Sequence, residues 1–557
     1  MRFILLTIFI VTAFTNYSFA QKAKPETPQF TESDSIRGML RPERTCFDVT
    51  KYTLNLEVKP NERFIKGYVD INYDVIEDFK TLQIDLFENM TINKVVHDET
   101  ELTYDRKYDA IFVHFPKKQS KKSASTIRVY YEGKPTTAKR APWDGGFVWK
   151  KDANGADWIG VACEGDGASL WWPNKDHLSD EPDEMTIICT VPANLMCVVN
   201  GNLTDTKTND NETKTYTWDV TYPINNYNVS LNIADYLHFS DTYVSKVDGE
   251  KLALDYYVLR ENEKKARRQF AQVPGVLEAF EHYFGKYPFW NDGYALVETP
   301  YLGMEHQGAI AYGNKYLNGY LGTGGMNSEH IKADYIIVHE TGHEYFGNSI
   351  SCNDHAEMWI HESFTTYMEM LYIEYHQGKE LAEWYLQTQK RHIHDRQPIL
   401  GPLNVNYNGW LSSDHYYKGA YILHTLRNVI NNDELWFKAL KALHEENAIS
   451  HMTSDQVINF LSERLERDLT NFFKQYLEFP LPPMLHCRFK ETRKELQVAY
   501  KWETDVPNFT MPAMIGLKGD FQRVEATSED WQIIKFKKLK KADFRINTDD
   551  FYIQVRR

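Results

Sequence analysis

His339, Glu340 and His343 form a His-Glu-x-x-His pentad, and Glu362 follows nineteen residues after its last histidine. On a helix, positions i and i+4 lie one above the other, roughly 5–6 Å apart at Cβ. Both imidazoles can therefore reach one ion, with Glu340 beside them on the same side. A catalytic zinc takes three protein ligands and keeps a fourth position open, and two His with one Glu is a known set. His339, His343 and Glu362 are thus the expected ligands of one zinc ion, and Glu340 the base for the water it activates. Three fixed residues of these types arise by chance in roughly a few per cent of chains this long, so the surroundings carry weight. Ala333-Asp334-Tyr335-Ile336-Ile337-Val338 precedes the pentad as an apolar helical run, and Gly347-Asn348 closes it. Glu362 opens a second helical period through Met370, where a buried carboxylate needs a partner.

Two further segments suit the same chemistry. Leu302-Gly303-Met304-Glu305-His306 stands about 35 residues upstream in a Gly- and Tyr-rich stretch. Tyr416-Tyr417-Lys418-Gly419-Ala420 begins a helical run about 55 residues after Glu362. A tyrosine hydroxyl can donate a hydrogen bond to an oxyanion beside a metal. On composition alone, Glu305 reads first as a surface acid.

The elements that must position these residues fall into three units. At 557 residues the chain exceeds the ~250–300 residues at which single cores stop growing. Hydrophobic content of 42% and aromatic content of 14% suffice for several cores. From about 46 to 245 the period is two, through Leu54, Leu56 and Val58, then Val69, Ile71 and Tyr73, then Leu82, Ile84 and Leu86. Ile111, Val113 and Phe115, and Ile127, Val129 and Tyr131, continue it, with Gly67, Asp105 and Gly133 read as turn residues. This predicts an all-β domain of packed sheets over 21–245. Helical periods then run from 261 to 283, with a kink expected at Pro274-Gly275, and on through 331–347, 360–377, 379–392, 416–431, 433–446 and 454–477. They place a mostly helical catalytic unit over 246–483, ended by Phe479-Pro480-Leu481-Pro482-Pro483. Short alternating runs over 484–557 predict a small closing β-sandwich.

Net charge of −15 argues against nucleic acid or an anionic membrane as partner. Residues 1–20 read as a secretory signal, with Arg2, an apolar stretch Phe3 to Phe14, and Ser18-Phe19-Ala20 as the cut site. That stretch is too short to span a bilayer, so no transmembrane segment is expected after its removal. The expected destination is the periplasm or the medium. Six scattered cysteines contain no C-x-x-C pair. Export permits disulfides, and Cys189 could face Cys197 across a hairpin around Pro192-Ala193-Asn194, or the thiols could stay free.

Taken in order, these motifs make the chain after residue 20 resemble the gluzincin aminopeptidases, the family of aminopeptidase N and the leukotriene hydrolase. The resemblance rests on the pentad with Glu362, on Gly303-Met304-Glu305, and on Tyr416-Tyr417-Lys418-Gly419. It extends to Asp48-Val49-Thr50-Lys51-Tyr52 and to Trp171-Trp172-Pro173-Asn174-Lys175-Asp176. It implies a multidomain α+β fold, with an N-terminal β domain, a thermolysin-like catalytic domain and, here, only a small C-terminal β-sandwich. It further implies that Gly303, Met304 and Glu305 bind a substrate amino terminus, and that Tyr416 stabilises the transition state. Leu302 and His306 stand where the family pattern has Gly and Asn, so His306 is read as a substitute donor to substrate. Glu164 stands where relatives place a Gln that helps hold the substrate amine. Most relatives also carry a large helical C-terminal domain, so contacts made from it do not transfer.

The expected function is a zinc-dependent aminopeptidase acting on peptides with a free N-terminus. Glu369, two turns after Glu362, is read as orienting a ligand or as an ordinary helix-pairing residue. The alternatives are an epoxide hydrolase or mixed-function member of the same family, and a non-catalytic binding protein on the same scaffold.

Overall fold

A computed structural model describes residues 29–557; the secretory-signal reading of 1–20 lies outside them. The alternating segments form a ten-stranded sheet. Strand Phe47–Lys59 lies near its middle, antiparallel to Phe64–Val75 with Leu54 opposite Val69. On its other side it runs parallel to Glu184–Pro192, with Leu54 opposite Ile187. Leu54, Leu56, Val69, Ile71, Leu82, Ile84, Ile111, Val113, Ile127 and Val129 are all buried, as a period of two demands. A four-stranded sheet accompanies it, built from 146–151, 157–162, 196–198 and 232–234. Gly67 and Asp105 turn out to lie within strands rather than at turns.

The second unit carries a five-stranded sheet of Tyr236–Val244, Lys251–Leu259, Tyr294–Glu298, Ile310–Tyr312 and the short edge strand Gly303–Met304. The hairpin 236–259 pairs wholly into this sheet. The boundary between units therefore falls before Tyr236, not at 245. Alternation alone cannot say which sheet a strand joins, which is why the period misplaced it. The expected kink at Pro274 is instead a break: one helix ends at Phe270 and another runs Val273–Phe284. Pro274 sits in its first turn, where a missing N–H is tolerated.

Three helices frame the pentad: Tyr335–His343, Trp359–Gln377 and Asp414–Ile430. Residues 484–557 form a four-stranded and a three-stranded sheet, the expected small sandwich. Among the described residues no helix is long and apolar enough to cross a membrane. All six cysteines are free and buried. Cys189 and Cys197 are neighbours, but their strands belong to different sheets, so no hairpin joins them.

Arg427 ties the catalytic helices together. It is 1% exposed and grips both oxygens of Glu374 at 2.6 and 2.7 Å. It also takes both oxygens of Asp433, at 2.8 Å each. Glu374 belongs to the helix of Glu362, Arg427 to the helix of Tyr416, and Asp433 opens the next helix. Removing one partner of such a buried pair strands the other charge. Arg427→Met is therefore expected to destabilise the catalytic unit by about 3 kcal/mol, the lower end for a broken buried pair because Asp433 reaches solvent. Urea unfolding followed by tryptophan fluorescence measures this, and an unchanged midpoint would show that the clamp does not stabilise the fold.

Candidate metal centre

The pentad helix starts where it does because Asp334 caps it. Its Oδ1 accepts from the Ile336 and Ile337 amides at 3.1 and 3.4 Å. The same carboxylate takes Tyr312 Oη, Gln269 Nε2 and Asn314 Nδ2, each at 2.7 Å. The helix is thereby pinned to the sheet and to its neighbours, and an Asp immediately before an apolar run is a legible N-cap. Burial raises the Asp334 carboxyl to about 6 against the pull of those hydrogen bonds.

One turn apart, His339 and His343 bring their Nε2 atoms to 3.2 Å. Glu362 Oε2 arrives from the second helix, 3.6 Å from His339 Nε2 and 3.4 Å from His343 Nε2. Ligand atoms sharing a tetrahedral zinc with bonds near 2.0–2.1 Å stand about 3.3–3.5 Å apart. The three separations, 3.2, 3.4 and 3.6 Å, lie within about 0.1 Å of that range, so one such ion fits among them. Glu362 Oε2 is also buried without a hydrogen-bond donor, an orphan that a cation would satisfy. Burial raises the Glu362 carboxyl, yet the charges of the adjacent His343 and His339 win and hold it well below the usual range. The neighbouring His361 is excluded from the set, because its Nε2 accepts the Cys352 amide at 2.9 Å.

The far side of each imidazole is fixed too. His339 Nδ1 lies 2.8 Å from Glu369 Oε1, and the other oxygen of Glu369 accepts from Tyr385 Oη. His343 Nδ1 lies 3.0 Å from the Phe346 carbonyl. Both acceptors call for a proton on Nδ1, which leaves each Nε2 free for metal. Glu369 thus touches a ligand, whereas Tyr385 carried no sequence signal.

Glu340, 6% exposed, faces the same cleft, and burial pushes its carboxyl up to about 7 against the pull of His339 and His343. Glu305, Glu340 and His343 have side-chain ligand atoms within 4.8 Å of one another. A Cβ on Gly303 would stand 2.7 Å from Glu340 Oε1, so glycine lets the edge strand lie against the base. Met304 lines the cleft. Tyr227 Oη, from the β domain, donates to Glu305 Oε1 at 3.2 Å, and Asn348 Nδ2 holds the Glu305 carbonyl at 2.8 Å. Glu164 also lines the cleft; burial, with Glu305, Glu362 and Glu340 as neighbours, pushes its carboxyl well up. His306 does not join them. The chain turns there, Ala309 N bonding back to the His306 carbonyl at 2.9 Å, and the ring is fully buried outside the cleft lining. It offers substrate no donor in this conformation.

Tyr416 is brought in by a close helix crossing. A Cβ on Gly419 would stand 1.7 Å from Ser363 Oγ, and Ser363 Oγ donates to the His415 carbonyl at 2.7 Å. This contact sits next to Glu362 and leaves the Tyr416 ring stacked on His339, centroids 6.0 Å apart. Burial and the charge of Glu362 push the Tyr416 hydroxyl well above its ordinary value, so it stays a donor. Lys418 is structural, donating to the Pro480 carbonyl at 2.6 Å. Tyr417 lines the same cleft, of about 900 Å³.

The arrangement could hold one metal ion beside a buried carboxylate in an open cleft. Residues 269–476 match the model of the peptidase family M1 domain. Aminopeptidase N of Lactococcus lactis subsp. lactis is 26% identical over 228 residues, 38% of this chain and 26% of that protein. Aminopeptidase N of Escherichia coli K12 is 21% identical over 286 residues, 48% of this chain and 31% of that protein. The chain therefore aligns with only about a quarter to a third of those relatives' lengths. Solved structures share far more of the architecture. The M1 zinc metallopeptidase of Deinococcus radiodurans superposes with a TM-score of 0.64 at 19% identity, over 80% of this chain and 95% of that one. A mutant of it bound to a Tyr-Ser-Ala substrate gives 0.62 at 20% identity, over 78% and 94%. Over residues 269–476 this chain is thus similar to the peptidase family M1 domain, and its fold is that of the M1 zinc metallopeptidase structures.

The ligand geometry sets a graded expectation. Glu362→Ala should lose its zinc on dialysis and regain it only at high zinc. Glu369→Ala should keep a weaker site, with affinity lower by roughly 10–100-fold, the usual effect of removing a partner behind a ligand. Zinc content under a competing chelator reads both, and full retention by Glu362→Ala would send the search for a third ligand elsewhere.

Proposed function

We propose that this protein is a zinc-dependent aminopeptidase that removes the first residue from peptides with a free N-terminus. The observation that carries the reading is the single cleft in which a three-ligand set, a buried base, a tyrosine donor and an acidic pair meet. Zinc held by His339, His343 and Glu362 would supply Lewis acidity and a water of lowered pKa. Glu340 takes the proton from the attacking water and passes it to the leaving amine. The desolvation that keeps its carboxyl near 7 suits a group that must accept and then release a proton near neutral pH. Tyr416 donates to the developing oxyanion, and its raised hydroxyl pKa keeps that proton available. Glu305 and Glu164 bind the α-ammonium. Their mutual repulsion in a buried site is relieved by an incoming cation, which is the physical basis for demanding a charged amino terminus. The tripeptide held by the Deinococcus mutant is in keeping with this substrate class. Export through residues 1–20 belongs to the same reading, and a mature chain starting at Gln21 would mark it.

Glu340→Gln is expected to keep zinc and to lose at least ~10²–10⁴-fold in kcat, the range for a general base. Tyr416→Phe should lower kcat by roughly 10²–10³ with little change in KM, as for a lost oxyanion donor. Leucyl p-nitroanilide, assayed with and without chelator, reads both. N-acetylated peptides should be inert; efficient internal cleavage of a blocked peptide would reduce the reading to a general zinc peptidase.

A further inference from the structure

The cleft of this acidic protein is lined by four carboxylates, those of Glu164, Glu305, Glu340 and Glu362, and by two arginines, Arg140 and Arg391. Among the described residues these are the only Arg or Lys side chains in its lining. Arg391 is exposed, and the hydrogen bond of its guanidinium goes from Nε to His392 Nε2 at 3.2 Å, not to a carboxylate. An arginine fork facing a substrate cleft with no acid of its own is a ready carboxylate receptor.

Its position sets it apart from the acid pair. Glu305 groups with Glu340 and His343. Tyr416 stacks on His339, the other histidine of the trio. From there the wall continues through Tyr417, 6.3 Å from Tyr416, to His392, 5.0 Å from Tyr417, and so to Arg391. The Arg391 charge is felt at the Tyr417 hydroxyl, while the charges felt at Glu164 are those of Glu305, Glu362, Glu340 and His339, and those felt at Glu305 are those of His343 and Glu362. Arg391 therefore lies away from the acid pair, at the end of an aromatic path that starts at the ligand His339. With the first residue held at the acids, Arg391 faces the part of the peptide that leaves.

The turn carrying Arg391 is held in place. It follows the helix Lys379–Gln389 as a single 3₁₀ turn, Lys390–His392. Lys390 Nζ donates to the Thr548 carbonyl at 2.7 Å, and the His394 and Asp395 amides donate to Asp414 at 2.8 Å each. Asp414 opens the helix of Tyr416, so the receptor and the oxyanion donor share one support.

We propose that Arg391 anchors a carboxylate on the leaving portion of the substrate. This makes the protein selective for short peptides whose carboxylate, chain-terminal or side-chain, lies within about five residues of the cleaved bond. The limit follows from the ring-to-ring path from His339 to His392, steps of 6.0, 6.3 and 5.0 Å. An extended peptide advances ~3.3–3.4 Å per residue, so about five residues cover that path at most. The inference rests on the aminopeptidase reading and adds a substrate class to it.

The test compares kcat/KM for Leu-Ala-Ala with that for Leu-Ala-Ala-amide, and Leu-Ala-Glu-amide with Leu-Ala-Gln-amide. Wild type, Arg391→Gln, Arg391→Lys and Arg140→Gln are assayed at low and high salt. Wild type should favour the carboxylate in at least one pair by about fivefold, the upper end for a solvent-exposed ion pair. Salt should shrink that preference. Arg391→Gln should bring the ratio near one, Arg391→Lys should keep part of it, and Arg140→Gln should leave it. Because each ratio is internal to one variant, a general loss of activity or folding does not alter it. A wild-type ratio near one in both pairs, a preference that survives Arg391→Gln, or one abolished by Arg140→Gln overturns the assignment. Failure of wild type to cleave any of the four peptides strikes the aminopeptidase reading instead.

Discussion

Four carboxylates share one buried cleft, and their mutual repulsion is the constraint around which the molecule is organised. Glu164, Glu305, Glu340 and Glu362 each feel at least one of the others. Left alone, acids crowded out of water would take up protons or push the helices apart. In the proposed function two kinds of cation would relieve them without either outcome: a metal dication at the His339, His343 and Glu362 corner, and a substrate ammonium at the Glu164 and Glu305 corner. The site's chemistry and its affinity for ligands thus have the same electrostatic origin.

Holding such a cluster requires rigid supports that are themselves fully paired. The Asp334 cap fixes the pentad helix, the Gly419–Ser363 crossing brings Tyr416 beside Glu362, and Arg427 binds those two helices from behind. Each support uses up its own polar groups, so the orphan Glu362 Oε2 at the centre remains for the metal.

The β units contribute more than bulk. The N-terminal unit supplies Glu164 to the cleft wall and Tyr227 as the donor that orients Glu305. The C-terminal sandwich clasps the opposite wall, with Tyr552 Oη on Asp395 at 2.9 Å and Tyr552 N on Thr425 Oγ1 at 2.9 Å. That clasp holds the 390–395 turn and the helix of Tyr416 against each other. A small sandwich thereby braces the cleft in a chain that aligns with only part of its longer relatives.

Much of this was legible in the chain. The four-residue spacing of His339 and His343 is set by the helical repeat, so the pentad could be read without knowing what surrounds it. The period of two in Leu54–Val58 or Ile127–Tyr131 likewise reports burial of one sheet face. Relations of longer range were not legible. Glu369 reaches His339 from 30 residues away and Tyr227 reaches Glu305 from 78. The reading of His306 as a donor to substrate and the unit boundary at 245 differ from the structure for one reason. Whether a side chain meets a cleft or a core depends on which elements pack against its own. The sequence by itself determined local spacing and the types of group available, because backbone geometry repeats identically in every helix and strand. Only the tertiary structure decided which groups meet, because burial, close approach and charge act across space between elements whose separation along the chain carries no such information.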